Sequence, residues 1–141
     1  MSVRLYCCMF ALVFLAWVPN AKAEDGYDLW LRYPRAQGAA LLELSRHSNS
    51  IMSPGRSAPA LRARDELIHG LEGLTGRLPI SAAHPDKGAI WLATPTDSPQ
   101  LKTLSLGTGN LGREGFVIRS VKVDGKAVIV ITADADQGLL Y

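Results

Sequence analysis

The sharpest alternation of apolar and polar positions lies near the C-terminal end of the chain. Phe116 to Val123 and Lys126 to Ala133 are two runs rich in β-branched residues, separated by Asp124-Gly125. Asp-Gly between such runs is a strong hairpin signal, because a type I′ turn needs positive φ at both central residues. A two-residue turn also fixes register. One face pairs Val123 with Lys126, Val121 with Val128, Arg119 with Val130 and Val117 with Thr132. The other pairs Lys122 with Ala127, Ser120 with Ile129, Ile118 with Ile131 and Phe116 with Ala133. Both faces are polar beside the turn and apolar away from it, so this sheet calls for cover on both sides.

Upstream, the period changes to that of a helix. Ser57 is an N-cap residue, Pro59 falls in the first turn, and Ala60, Ala63, Leu67, Ile68, Leu71 and Leu74 recur at three- and four-residue spacing. Gly76 follows as the C-terminal stop, and Leu78-Pro79-Ile80 leaves the helix. Gly88 to Thr94 is a short apolar run bounded by turn residues, the signature of a buried strand. Weaker signals predict a strand at Leu29–Tyr33, ended by Pro34, a short helix over Ala36–Ser45 and a strand within Arg46–Met52. Ser98-Pro99 opens a short helix reaching about Leu104, and Gly107 to Gly112 reads as a flexible loop. Asp134 with Gln137 forms a capping-box arrangement, so a last helix starts there and is interrupted by the end of the sequence. The elements together predict an α/β two-layer sandwich: a small mixed sheet, with the C-terminal hairpin packed against helices.

Residues 1–23 change the picture of charge and compartment. Arg4 supplies a positive start, Leu5 to Val18 an apolar core of 14 residues, and Ala21-Lys22-Ala23 a cleavage site. That core is too short for a membrane span, which needs about 20 residues. The segment predicts a cleaved signal and an exported protein, periplasmic or extracellular, with no membrane association after cleavage. Cys7 and Cys8 leave with it, so residues 24–141 hold no disulfide and no thiolate metal site. Arg4 and Lys22 leave too, and the remaining basic and acidic residues balance. Nothing then favours a nucleic-acid partner, which would need a clustered basic surface.

Candidate chemistry is sparse. Gly107-Thr108-Gly109-Asn110-Leu111-Gly112 is a literal G-x-G-x-x-G, but the dinucleotide motif needs a strand before it and a helix after it, and here a strand follows. His47, His69 and His84 have no metal-ligand spacing, and no Gly-x-Ser-x-Gly elbow is present. Two suitably spaced carboxyls suffice for glycoside hydrolysis. The pairs Asp25/Asp28, Asp65/Glu66 and Asp134/Asp136 each have a structural account instead: a polar N-terminal segment, a solvated helix face and a helix cap. Trp30, Tyr33 and Trp91 could form a platform for a sugar ring, although Trp91 lies in the most apolar strand and reads as core. No catalytic, substrate-binding or metal-binding residue, and no cofactor, is assigned.

Three stretches carry a family resemblance. Glu24-Asp25-Gly26-Tyr27-Asp28-Leu29-Trp30-Leu31-Arg32-Tyr33 resembles the opening of the family 67 α-glucuronidases. So do Leu111-Gly112-Arg113-Glu114-Gly115-Phe116-Val117-Ile118-Arg119-Ser120 and the ending Gly138-Leu139-Leu140-Tyr141, with the helix at Leu61–Leu74 and the strand at Ile90–Thr94 in order between them. The resemblance implies a fold related to the non-catalytic domain of the β-hexosaminidases. It also implies enzymes that remove glucuronic acid from xylan-derived oligosaccharides through a (β/α)₈ barrel placed after this domain. Residues 24–141 match the first domain only, truncated in its last helix, so no residue here inherits a catalytic role. The expected partner is the missing catalytic barrel in cis, with xylo-oligosaccharide as a further possible ligand. The alternative is a free-standing secreted carbohydrate-binding or interaction module resting on Trp30 and Tyr33.

Overall fold

The computed structural model describes residues 33–141. The signal segment, the Leu29–Tyr33 strand except its last residue, and Trp30, Asp25 and Asp28 lie outside the described residues. The elements run α1 (Gly38–His47), β1 (Ser50–Met52), α2 (Ala58–Thr75), β2 (Ile80–Ser81), β3 (Ala89–Leu92), a 3₁₀ turn (Pro99–Thr103), β4 (Phe116–Val123), β5 (Lys126–Ala133) and a closing 3₁₀ turn (Asp136–Leu140). The five strands form one mixed sheet in the order β2-β1-β3-β5-β4. Only the β4–β5 pair is antiparallel. This is the α/β sandwich expected from the pattern.

The hairpin has the register its turn dictates, from Val123 opposite Lys126 to Phe116 opposite Ala133. Asp124 and Gly125 both have positive φ, 50° and 76°, as a type I′ turn requires. The α2 signals also hold in detail. The Ser57 hydroxyl accepts from the Ala60 N–H at 3.2 Å, and Gly76 ends the helix in the left-handed conformation at φ 69° while its N–H donates to the Glu72 carbonyl. Both caps satisfy backbone groups that a helix end leaves orphaned.

β3 is buried at all four positions because it is central and covered on both faces. Its side chains alternate between two cores. Ile90 and Leu92 point to the helix layer, where Ile90 meets Ile51 and Leu71, and Leu92 meets Ala60, Ala63, Ala133 and Leu139. Trp91 points the other way, onto Leu101, Leu106, Val128 and Val130. The second cover therefore comes from the segment after β3, whose 3₁₀ turn and following residues fold back beneath the sheet.

That packing answers the question raised by the doubly apolar hairpin. Val128 and Val130 are 1% and 0% exposed and sit under Leu101 and Leu106, so no further domain is needed above them. Val121 and Val123 pack at the margin of the same cluster. The helix-side face of β4 is a different matter, since Phe116 and Ile118 on it remain exposed.

Three elements depart from expectation. β2 was not visible in the sequence: its two residues are exposed, and it exists through its backbone, Ile80 donating to Asn49 O and Ala82 to Ile51 O. The segment from Ser98 is a 3₁₀ turn with no side-chain cap from Ser98. No capping box forms at Asp134. The residues after it make a 3₁₀ turn whose N-cap position is Ala135, and the Asp134 carboxylate is engaged elsewhere.

Candidate functional site

The Gly107–Gly112 loop and Asp134, read separately in the sequence, form one structure. Asp134 Oδ1 accepts from the Gly109 N–H and Oδ2 from the Leu111 N–H, both at 3.0 Å. The loop is thus a cradle of backbone donors, as in an anion site, but a carboxylate of the chain itself fills it. The β4–β5 register explains why. Phe116 pairs with Ala133, so the residue after Ala133 emerges beside the end of the loop that feeds β4. A strand follows the loop, no helix N-terminus faces it, and nucleotide binding has neither the geometry nor the free donors it needs. The sequence signal for this latch is the register combined with an Asp just past a strand end.

Several other carboxylates are similarly committed. Asp65 accepts from Arg64 Nε and Nη2 at 3.0 and 2.7 Å, and Glu66 pairs with Arg62 at 2.6 Å on the next face of α2. Glu43 lies between Arg46 and His47, at 3.2 and 3.1 Å. Asp97 closes a small turn by accepting from the Thr94 hydroxyl at 2.9 Å. Asp136 sits in the first turn of the closing 3₁₀ segment. Asp134 and Asp136 are therefore a latch and a turn residue, and neither caps an α-helix.

The histidines are dispersed: His47 against Glu43 on α1, His69 edge-on to Tyr33 with ring centroids 6.0 Å apart, and His84 in the loop before β3. Among the described residues, no group of three His, Cys, Asp or Glu side chains could hold a metal ion. Tyr33 is half-buried against α2, where a Cβ on Gly73 would sit 2.7 Å from its own Cβ and one on Gly70 3.2 Å from its ring. Glycine within a helix costs about 1 kcal/mol relative to alanine, and here it makes room for the aromatic ring. Tyr33 is thus a packing residue on this surface and not an open platform. Trp91 is core, 2% exposed, and its indole N–H has no partner.

A groove of about 480 Å³ lies beside the hairpin tip, lined among others by His84, Trp91, Gln100, Lys122, Asp124 and Lys126. Lys126 forms an ion pair with Asp86. Hydrogen bonding and Coulomb attraction to Lys126 hold the Asp86 carboxyl below its ordinary value of 3.8, and the same two effects from Asp86 raise Lys126 above 10.5. A glycosidase acid needs the opposite, a carboxyl whose proton is retained near neutrality. A second hollow, about 360 Å³ between α1, the end of α2 and β2, has Ser48 and Thr75 on its lining. Both hydroxyls donate to carbonyls of their own helices, Leu44 O and Leu71 O, each at 2.7 Å.

Fold and sites together define a small α/β domain whose described residues assemble no acid–base pair and no activated nucleophile. Residues 29–141 match the family described as glycosyl hydrolase family 67 N-terminus. The chain belongs to that family and is an N-terminal domain of the family 67 α-glucuronidases. No curated protein matches it.

Proposed function

We propose that the chain is the non-catalytic front domain of an exported α-glucuronidase acting in xylan degradation. It packs in cis beside a catalytic barrel that removes glucuronic acid from xylo-oligosaccharides. The family match over residues 29–141 carries this reading. Its support from the site chemistry is that each carboxylate pair of the described residues is engaged in a latch, a turn or an ion pair. Export rests on the pattern of residues 1–23, a positive start, a 14-residue apolar core and Ala-x-Ala. Among the described residues, no helix is long and apolar enough to cross a membrane.

The test is an assay of the purified chain on a glucuronosylated xylo-oligosaccharide, with release of free glucuronic acid as the readout. No release above the uncatalysed background is expected. Turnover that survives repurification of the chain would place catalytic groups in this domain and defeat the proposal. Mass spectrometry of the exported product tests the signal: an N-terminus at Glu24 is expected.

A further inference from the structure

Residues distant in sequence converge on the groove beside the hairpin tip. Its floor lies on the Trp91 face of the sheet: Met52 is the register partner of Trp91 on β1, Leu104 follows the 3₁₀ turn, and Val123 ends β4. All three are partly buried against the cluster around Trp91. Trp91 itself contributes to the wall, and its buried indole N–H has no partner. The rim is polar. Gln100 and Thr103 come from the 3₁₀ turn, His84 from the loop before β3, and Asp124 and Lys126 from the hairpin. Its volume of about 480 Å³ is that of a small-molecule site, and an apolar floor with a few convergent polar groups is how such sites are built.

The charges of this rim cancel one another. Lys126 is paired with Asp86, and Asp124, two residues before it, attracts the same ammonium. His84, when protonated, lies in the field of the same Asp86. Lys122 pairs with Ala127 and belongs to the opposite face of β4 from Val121 and Val123. A charged ligand would therefore meet no surplus of opposite charge. What is left is uncharged polar capacity. Among the described residues the Gln100 amide makes no hydrogen bond, and neither does the His84 ring. The Thr103 hydroxyl donates to Gln100 O at 2.7 Å and keeps its lone pairs for a further donor.

We propose that this groove is a binding site for a short neutral saccharide, with ring C–H faces on Met52, Leu104 and Val123 and hydroxyls on Gln100, Thr103 and His84. A sugar hydroxyl both donates and accepts, which matches an amide, a hydroxyl and an imidazole. The apolar side of a pyranose ring matches the aliphatic floor. A peptide strand is a poorer fit, since strand addition needs a free sheet edge and the groove lies on a sheet face. Xylose as the sugar rests on the functional reading given above; the site and the neutral, polyhydroxylated class come from the groove itself. The domain then holds substrate chains without cleaving them.

Titration of the ¹⁵N-labelled chain with xylobiose, followed by NMR, tests the site. Saturating shifts are expected at the backbone amides of Gln100, Thr103 and Lys126 and at the Trp91 indole N–H, with a Kd on the order of 1 mM. Gln100 is exposed, so Gln100→Ala leaves the fold intact and is expected to weaken binding about fivefold, the scale of one neutral hydrogen bond. Glu72→Ala, on the exposed side of α2, is expected to change nothing. No saturating shift at tens of millimolar would overturn the site, and so would shifts confined to the surface around Tyr33. Glucuronate bound tenfold more tightly than xylobiose would reveal uncompensated charge and overturn the neutral class. Each of these failures leaves the functional reading standing, because that reading is decided by glucuronic acid release and not by binding here.

Discussion

Asp134→Ala removes a carboxylate that ties down the Gly107–Gly112 loop, and its effect can be worked from two contacts. The carboxylate accepts from the Gly109 and Leu111 N–H groups at 3.0 Å each. Hydrogen bonds to a charged acceptor contribute about 1.5–3 kcal/mol. Asp134 is exposed, so water replaces part of each bond, and about 1 kcal/mol per contact is the appropriate scale here. Loss of about 2 kcal/mol of local stability raises the amide exchange rates of Gly109 and Leu111 about 30-fold, at 1.4 kcal/mol per factor of ten. The β5 amides of Val128 and Val130, deep in the core, change little. NMR-detected hydrogen exchange on the wild type and variant gives both numbers in one experiment. Asp134→Asn keeps one acceptor oxygen and is expected to lose about half as much. Unchanged protection at Gly109 and Leu111 in Asp134→Ala would refute the latch and return the segment to an independent loop.

Thr132→Val is expected to stabilise the fold: Thr132 is fully buried and its hydroxyl has no partner, so a same-shaped apolar replacement gains about 1 kcal/mol, or roughly 4 °C in Tm. Differential scanning calorimetry checks the sign, and a lower Tm would show that the hydroxyl is satisfied in solution. Gly76→Ala places a side chain at φ 69° and should destabilise by about 1 kcal/mol or more in a urea melt. Lys126→Ala removes the partner that depresses Asp86, so the carboxyl titration followed by NMR should move up toward 3.8. The sign follows from linkage. The Asp86 side of the pair is present above the unfolded value and lost as pH falls through the lowered folded value, while the Lys126 side is lost as pH rises through its raised value. An Asp86 titration indifferent to Lys126→Ala would show that the pair does not persist in water.

What the sequence showed well was local. The Asp124-Gly125 turn fixes sixteen strand residues in register, and Ser57, Pro59 and Gly76 mark α2 because caps act within one turn of the helix. What it hid was non-local. Asp134 with Gln137 is a complete capping pattern on paper, yet the contacts that win come from Gly109 and Leu111, 25 and 23 residues away. The cover over Val128 and Val130 was equally hidden, since Leu101 and Leu106 sit in a segment whose pattern shows only a short turn. β2 left no trace because Ile80 and Ser81 bury nothing and are held by backbone alone. As to the site, residue types mark no chemistry, and among the described residues the geometry commits Asp134 to the loop, Asp65 and Glu66 to arginines, and Tyr33 to the α2 glycines. The family was legible in whole stretches, Leu111 to Ser120 and Gly138 to Tyr141 among them.

The family match carries the central proposal, that this domain stands in front of a catalytic region. The most direct measurement of that claim is the nucleotide sequence downstream of the Tyr141 codon in the source genome. The account predicts a reading frame, continuous or restored by a single frameshift, that runs into a (β/α)₈ region of about 250 residues. A stop codon with no barrel-coding sequence in any frame beyond it would contradict the account and leave an α/β domain with work of its own.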